Sequence, residues 1–261
     1  MTTRDTPFAP GTPCWVDLFS SDLDASKKFY GELFGWEAHD TGEEFGGYVS
    51  FHSDGHRVAG MMKNTPESGS PDVWSTYIST DDIKATSEAL AEAGGQVMFA
   101  PDAVADLGSM AIAVDPAGAA FGLWQPGTHP GFTKYNEPGS VTWDEHHSKD
   151  FRASTPFYEK VFGWEMDTTN DSDDFRYYQA KVNGEVVAGL MDSAKFLPAE
   201  VPSYWAVYFN VEDADEAAAK VTQLGGSVIS GPEDTPYGRL ADVRDPTGAA
   251  FKLHSNKLAN P

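Results

Sequence analysis

The sequence predicts an α+β fold of two tandem domains, each built from two β-α-β-β-β units that form a curved antiparallel sheet with helices on its outer face. Three observations predict it. The chain repeats itself once, end to end, in a register that changes only by small slips. Each half repeats itself again, more weakly. Helix stops and hairpin turns recur at matched places along the units.

The end-to-end repeat is read first, because a missed repeat mis-assigns the whole fold. Pro10-Gly11, Trp15, Asp22, Ser26, Phe29-Tyr30 and Phe34-Gly35-Trp36 recur as Pro138-Gly139, Trp143, Asp150, Ser154, Phe157-Tyr158 and Phe162-Gly163-Trp164. Further on, Val58-Ala59-Gly60 matches Val187-Ala188-Gly189, and Trp74, Tyr77 and Asp82 match Trp205, Tyr208 and Asp213. The halves close on Asp115-Pro116-Ala117-Gly118-Ala119-Ala120-Phe121 and Asp245-Pro246-Thr247-Gly248-Ala249-Ala250-Phe251. Pro126-Gly127-Thr128-His129-Pro130-Gly131 reads as a linker. The expected division is a first domain at 10–126, a linker at 127–137 and a second domain at 138–256.

Within each unit a short strand leads to an Asp, then to an amphipathic segment ending at Gly. Asp22, Asp82, Asp150 and Asp213 stand where a helix N-cap accepts bonds from free backbone N–H groups. Leu23, Ser26, Phe29-Tyr30 and Leu33-Phe34 fall at helical spacing and give one buried face. Gly35, Gly94, Gly163 and Gly225 sit at the expected left-handed stops. Short alternating runs follow, such as Tyr48 to Phe51 and Arg176 to Val182. Ser53-Asp54-Gly55 and Asn183-Gly184 then turn the chain back as hairpins. Two such units leave a concave apolar inner face, the default place for a ligand.

Hydrophobic residues make up 40% of the 261-residue chain and aromatic residues 13%, enough to fill cores and to argue against disorder. Acidic residues number 40 against 18 basic ones, a net charge of −22. Such a surface repels phosphate backbones and anionic headgroups, so neither nucleic acid nor membrane is an expected partner. A small molecule is. Cys14 is the only cysteine, which excludes an internal disulfide and a cysteine-based zinc site; it reads as a small buried hydrophobe. No apolar run approaches the roughly 20 residues that span a bilayer. The expectation is a soluble cytoplasmic monomer whose fused halves stand in for a dimer.

The pattern Trp15-x-Asp17-Leu18-x-x-x-Asp22-Leu23-x-x-Ser26-x-x-Phe29-Tyr30, with Phe34-Gly35-Trp36 and the Asp-Pro-x-Gly-Ala-x-Phe closures, resembles the vicinal-oxygen-chelate superfamily of glyoxalase, bleomycin-resistance and dioxygenase proteins. The tandem form is similar to a two-domain actinobacterial group that includes a mycobacterial antigen. The resemblance covers about residues 10–125 and 138–255. Metal-dependent members of the superfamily carry a His on the first strand, a His or Glu on the fifth and a Glu on the eighth. By register these places hold Trp15 and Trp143, then fall near Ser75 and Ala206, then hold Gly122 and Lys252. None is a good ligand, and a lysine repels a divalent cation. The resemblance thus implies that the standard metal site is lost in both halves and that no cofactor is needed. A displaced zinc, manganese, iron or nickel ion on Glu145, His147 and His254 is the minor alternative.

Strand side chains alternate, so residues two apart share a face. In the first half the metal-bearing face would present Trp15, Asp17, Phe19, Ser75, Tyr77, Ser79, Gly122 and Trp124. In the second it would present Trp143, Glu145, His147, Tyr208, Asn210, Lys252 and His254. The candidate catalytic residues are Glu145, His147, Tyr208 and His254. The candidate ligand-binding residues are Trp15, Asp17, Tyr77, Trp124, Trp143, Asn210 and Lys252. Asp17 and Glu145 correspond, either as a base at the cup floor or as carboxylates bonded to Tyr77 and Tyr208 to hold the sheet together. His146 and His147 are adjacent, so only one faces the cup. Trp74 and Trp205, like the other tryptophans, serve packing first and ligand stacking second. Lys63 to Pro71 and Asp192 to Pro202 are surface connections that could rim the cups. Two readings stay open. One is a metal-independent small-molecule binder, toward which the missing ligands lean. The other is a lyase, isomerase or hydroxylase using Glu145 and His147 as acid and base.

Overall fold

The computed structural model describes residues 2–65 and 69–259. The first half runs β1 (Pro13–Ser20), α1 (Leu23–Phe34), β2 (Glu37–Asp40), β3 (Val49–Ser53), β4 (His56–Lys63), then β5 (Val73–Ser79), α2 (Ile83–Glu92), β6 (Gln96–Val104), β7 (Gly108–Val114), β8 (Ala120–Pro126). The second runs β9 (Val141–Ser148), α3 (Phe151–Phe162), β10 (Glu165–Asp171), β11 (Arg176–Val182), β12 (Glu185–Asp192), then β13 (Tyr204–Asn210), α4 (Ala214–Gln223), β14 (Ser227–Thr235), β15 (Gly238–Arg244), β16 (Ala250–Ser255). Each half is therefore two β-α-β-β-β units in sequence order.

The four aspartates cap their helices with side-chain oxygens: Asp22 accepts from Ala25 N, Asp82 from Lys84 and Ala85 N, Asp150 from Ala153 N, and Asp213 from Asp215 and Glu216 N. Gly35 and Gly163 end α1 and α3 in the left-handed conformation, where a Cβ would be strained. Asp54-Gly55 and Asn183-Gly184 all have positive φ, the backbone a tight two-residue hairpin requires.

Each half forms one eight-stranded sheet, ordered β2-β3-β4-β1-β5-β8-β7-β6 and β10-β11-β12-β9-β13-β16-β15-β14. The hairpins are antiparallel as expected, but the sheets are mixed. β1 runs parallel to β4, β5 to β8, β9 to β12 and β13 to β16. The reason is topological: the first strand of each unit joins the last, and only a parallel pair closes that path. The two units of a half meet where β1 and β5, or β9 and β13, pair antiparallel.

The helices cover the convex faces, and those faces turn toward each other. Two aromatic-rich cores result, each shared by both halves. On one side Tyr30, Trp36 and Trp74 pack on Phe209 and Phe251; on the other, Phe157 and Tyr158 pack on Phe121. Tyr30 Oη donates to Asp245 Oδ2 at 3.0 Å and Tyr158 Oη to Asp115 Oδ2 at 3.2 Å, across the halves. The same aspartates accept the backbone N–H groups of their own turns through Oδ1. The Asp-Pro-x-Gly closure and the Phe-Tyr pair of the helix are thus two ends of one contact, made twice. A hydrogen bond to a charged group contributes about 1.5–3 kcal/mol. Trp36 and Trp164 add indole bonds to Gly139 O and Gly11 O, each 2.7 Å. The chain is internally duplicated, its halves joined as two subunits would be. Among the described residues no helix is long and apolar enough to cross a membrane.

Candidate functional site

Alternation on β1 and β9 sorts the side chains. Val16 and Leu18 face the shared cores, as do Asp144 and His146 in the second half. Trp15, Asp17 and Phe19, and Trp143, Glu145 and His147, face the two concave surfaces. His146 is fully buried and sits 2.8 Å from Asp115 Oδ2, away from the cup.

In the first cup, Asp17 Oδ1 accepts from Tyr48 Oη at 2.7 Å and from Trp15 Nε1 at 2.9 Å. Tyr77 lies beside the same carboxylate, but its hydroxyl has no regular hydrogen-bond partner. Its ring covers Gly122 so closely that a Cβ there would lie 2.1 Å from it. Tyr48 covers Gly60 in the same way, at 1.7 Å from a Cβ. The linker then closes the cup. His129 stands edge-on to Trp15 at 4.5 Å and to Trp124 at 5.4 Å, and Phe132 lies 5.5 Å from Trp15. The path is fixed by backbone bonds from His129 N to Leu107 O, Phe132 N to Cys14 O and Thr133 N to Arg57 O. Trp15 is 4% exposed and Trp124 8%. The segment expected as a plain linker is a plug.

The second cup repeats this frame and adds to it. Glu145 Oε1 accepts from Tyr208 Oη at 2.7 Å and Oε2 from Tyr177 Oη at 2.8 Å. Trp143 Nε1 donates to Tyr177 Oη at 3.2 Å. His147 Nε2 lies 2.9 Å from Glu145 Oε1, bent from regular hydrogen-bond geometry, and Nδ1 lies 3.1 Å from Ser193 Oγ. The imidazole stacks on Tyr204, centroids 4.8 Å apart and planes 8° from parallel. Lys252 Nζ pairs with Asp242 Oδ1 at 2.5 Å and sits 5.4 Å over the Tyr208 ring. A cavity of about 50 Å³ opens between Tyr204, Ala206, Asp242 and Lys252. Among the described residues no chain segment plugs this cup. The residues after β16 turn instead to β14, where Ala259 N meets the Asp234 carboxylate.

The two carboxylates move in opposite directions. Burial raises the pKa of Asp17, and the bonds from Tyr48 and Trp15, with Tyr77 close by, do not offset it. Burial also works to raise Glu145, but hydrogen bonding and attraction from His147, with the Tyr208 and Tyr177 bonds, hold it down at about 2. Burial, then the neighbouring Glu145 charge, pushes Tyr177 and Tyr208 well up, so both remain protonated donors.

Of the residues singled out by sequence, Glu145, His147 and Tyr208 come together, with Trp143 one bond removed and Lys252 beside Tyr208. His254 does not join them: its Nε2 lies 2.8 Å from Tyr237 O. Asn210 is buried and pairs with His254 across the strands. Trp15, Asp17, Tyr77 and Trp124 share the first cup beneath the plug. Tyr48, Tyr177, Ser193, Tyr204, Asp242 and His129 were not anticipated. The matched glycines Gly60 and Gly189 were the available signal for the two tyrosines, since each leaves space for a ring from the neighbouring strand. Of the two loops, Asp192 to Pro202 supplies Ser193 to the site, and residues 66–68 of the other lie outside the described residues.

The register also corrects the metal row. Trp15 pairs with Tyr77, which pairs with Gly122; Trp143 pairs with Tyr208, which pairs with Lys252. Ser75 and Ala206 stand opposite Asp17 and Glu145 instead. These rows of tryptophan, tyrosine, glycine and lysine do not fit a divalent ion. Among the described residues no three His, Cys, Asp or Glu side chains form a metal-holding group.

Comparison with known proteins gives a consistent picture. The model of the Glyoxalase/Bleomycin resistance protein/Dioxygenase superfamily matches residues 14–123 and 147–253. The chain is 40% identical over 252 residues to CFP32 of Mycobacterium tuberculosis, covering 94% of this chain and 95% of that one. It is 38% identical over 266 residues to the anthracycline biosynthesis protein DnrV of Streptomyces peucetius, covering 95% and 94%. Its fold resembles the Mn(II)-bound glyoxalase of Novosphingobium aromaticivorans, with a TM-score of 0.65 at 16% identity, over 95% of this chain and 82% of that one. This last likeness overturns the expectation that no cofactor is needed: the same fold carries manganese there, so a divalent metal stands among the cofactors open to this chain, although the two rows described above are not built to hold it. Two tandem family matches and relatives spanning nearly the full length leave one assignment: the chain belongs to the glyoxalase/bleomycin resistance/dioxygenase superfamily.

Proposed function

We propose that the chain is an enzyme of the lyase or isomerase kind, and that its chemistry is proton transfer at Glu145 and His147 in the second cup. The observation that carries this reading is the buried Glu145–His147 contact on the floor of an unplugged cup, with Tyr208 and Lys252 beside it. The first cup has Phe19 where His147 stands, and is closed. A purely binding cup has no need of a carboxylate and an imidazole held in contact. The likeness to a glyoxalase fold and to a protein of anthracycline biosynthesis also supports an enzyme over a simple binder.

A substrate hydrogen made acidic by an adjacent carbonyl leaves as a proton to Glu145. The electron pair stays on the substrate as an enolate, whose oxygen faces the Lys252 ammonium. The proton then passes to His147 Nε2, which lies 2.9 Å from Glu145 Oε1. Glu145 then serves as counter-ion to the imidazolium. Ser193 fixes the far side of the ring, and Tyr204 its plane. Return of the proton to another atom gives an isomerase; loss of a leaving group gives a lyase.

The test is proton exchange in D2O, followed by ¹H NMR on a panel of small carbonyl compounds that includes the methylglyoxal–glutathione hemithioacetal. Wild-type protein is expected to wash deuterium into at least one α-position. Glu145→Gln is expected to slow it by about a hundredfold or more. Exchange equally fast in Glu145→Gln, or none in the wild type for any compound, contradicts the proposal.

A further inference from the structure

The plug in the first half has an unfilled counterpart in the second. β1 and β4 run parallel from Asp17 and Gly60 onward, but their starts are splayed. Phe132 and Thr133 fill that opening, donating to Cys14 O at the start of β1 and to Arg57 O at the start of β4. β9 and β12 are splayed in the same way before Glu145 and Gly189. Among the described residues no chain segment fills this opening. Instead there is a cavity of about 150 Å³, walled by Phe8, Phe132, Tyr135, Trp143, Val186 and Val187. Trp143 is the counterpart of Trp15, against which the first half seats Phe132 and His129.

We infer that the opening between β9 and β12 is a binding subsite for a single planar apolar ring, held against Trp143 as the plug rings are held against Trp15. The volume suits one six-membered ring, since an apolar cavity of about 150 Å³ takes up benzene. The aromatic and aliphatic part of the wall offers a flat ring edges and faces to pack on, beside the polar Thr12, Asn136, Thr142 and Asp144. Trp143 also ties this subsite to the chemistry. Its Nε1 donates to Tyr177, which donates to Glu145. The substrate class is therefore a carbonyl compound bearing an aromatic ring, the ring in this opening and the reactive carbon toward Glu145. The location of the reactive end rests on the function proposed above; the ring subsite does not.

Saturation-transfer NMR with benzyl alcohol and with cyclohexylmethanol tests it on the wild-type chain. Benzyl alcohol is expected to bind at one site, and the puckered ring about tenfold more weakly. Val187→Phe, which fills the opening from β12, is expected to weaken benzyl alcohol about tenfold or more; Glu145→Gln is expected to leave it unchanged. Equal binding of the two alcohols, no binding of either, or an undiminished signal in Val187→Phe overturns the subsite. Ring binding without deuterium exchange would leave the subsite standing and sink the acid–base reading. Exchange without ring selectivity would do the reverse.

Discussion

The first and second cups are built on the same backbone and the same Trp–Tyr–carboxylate frame, yet one is sealed and the other charged. Trp15, Asp17, Tyr48 and Tyr77 correspond one for one to Trp143, Glu145, Tyr177 and Tyr208. One exchange, Phe19 for His147, sets the electrostatics apart. Without a cation, the hydroxyl and indole bonds on Asp17 do not overcome burial, and its pKa rises. With an imidazole 2.9 Å away, a carboxylate just as buried is held at about 2. Hydrogen bonds from neutral donors alone do not offset the burial of a carboxyl here; a partner able to carry positive charge does. The linker completes the division by laying His129 and Phe132 over the cup that lacks the imidazole.

The same asymmetry extends to the back face of the strands, where the largest effect is expected. Val16 in β1 corresponds to Asp144 in β9, a buried carboxyl with one bond, from Thr76 Oγ1 at 2.6 Å. Burial pushes its pKa up from 3.8 to about 7. A folded chain that keeps this proton while the unfolded chain releases it loses stability as pH rises between those values. Asp144→Asn removes the penalty. Its stability advantage over wild type should be small at pH 4, grow through pH 7 and level off near about 4 kcal/mol above it. Urea denaturation across that range measures it; a constant difference would show that Asp144 is ionised in the fold.

A smaller effect distinguishes the cup floors. A Cβ on Gly122 would press into the Tyr77 ring at 2.1 Å. Gly122→Ala is expected to cost about 1–3 kcal/mol by overpacking. Lys252 already carries a side chain at the matched place beside Tyr208, and Lys252→Ala should cost less. Similar losses at both positions would mean the first cup is no tighter than the second.

The fold was readable because its signals are local and repeated. Asp22 and Asp150 cap, Gly35 and Gly163 stop, Asp54-Gly55 and Asn183-Gly184 turn, each within a few residues of what it controls. Glu145, His147 and Tyr208 were legible for a related reason: alternation along two strands places them on one face. The misses are contacts between distant segments. Nothing in Tyr48 or Tyr177 marks it as a carboxylate donor until β3 and β11 lie beside Gly60 and Gly189. Alternation put Lys252 and His254 on the face of Glu145, but Asp242 on β15 and the Tyr237 carbonyl in the turn before it are nearer. The role of His129 depends on where a Pro/Gly-rich segment travels after β8, which no local pattern encodes. The cofactor expectation failed because lost ligand residues speak only of one row, whereas the fold as a whole is compatible with manganese.

The most direct test of the comparison needs no substrate. Site-resolved ¹³C carboxyl NMR titration of Asp17 and Glu145 should place Asp17 above 3.8 and Glu145 at about 2 in the wild-type chain. In His147→Phe, which gives the second cup the first cup's residue, Glu145 should rise above its ordinary 4.5, as Asp17 does above its own value. A Glu145 that titrates at the same pH with and without His147 would contradict the claim that this imidazole converts a sealed carboxylate into an acid–base pair.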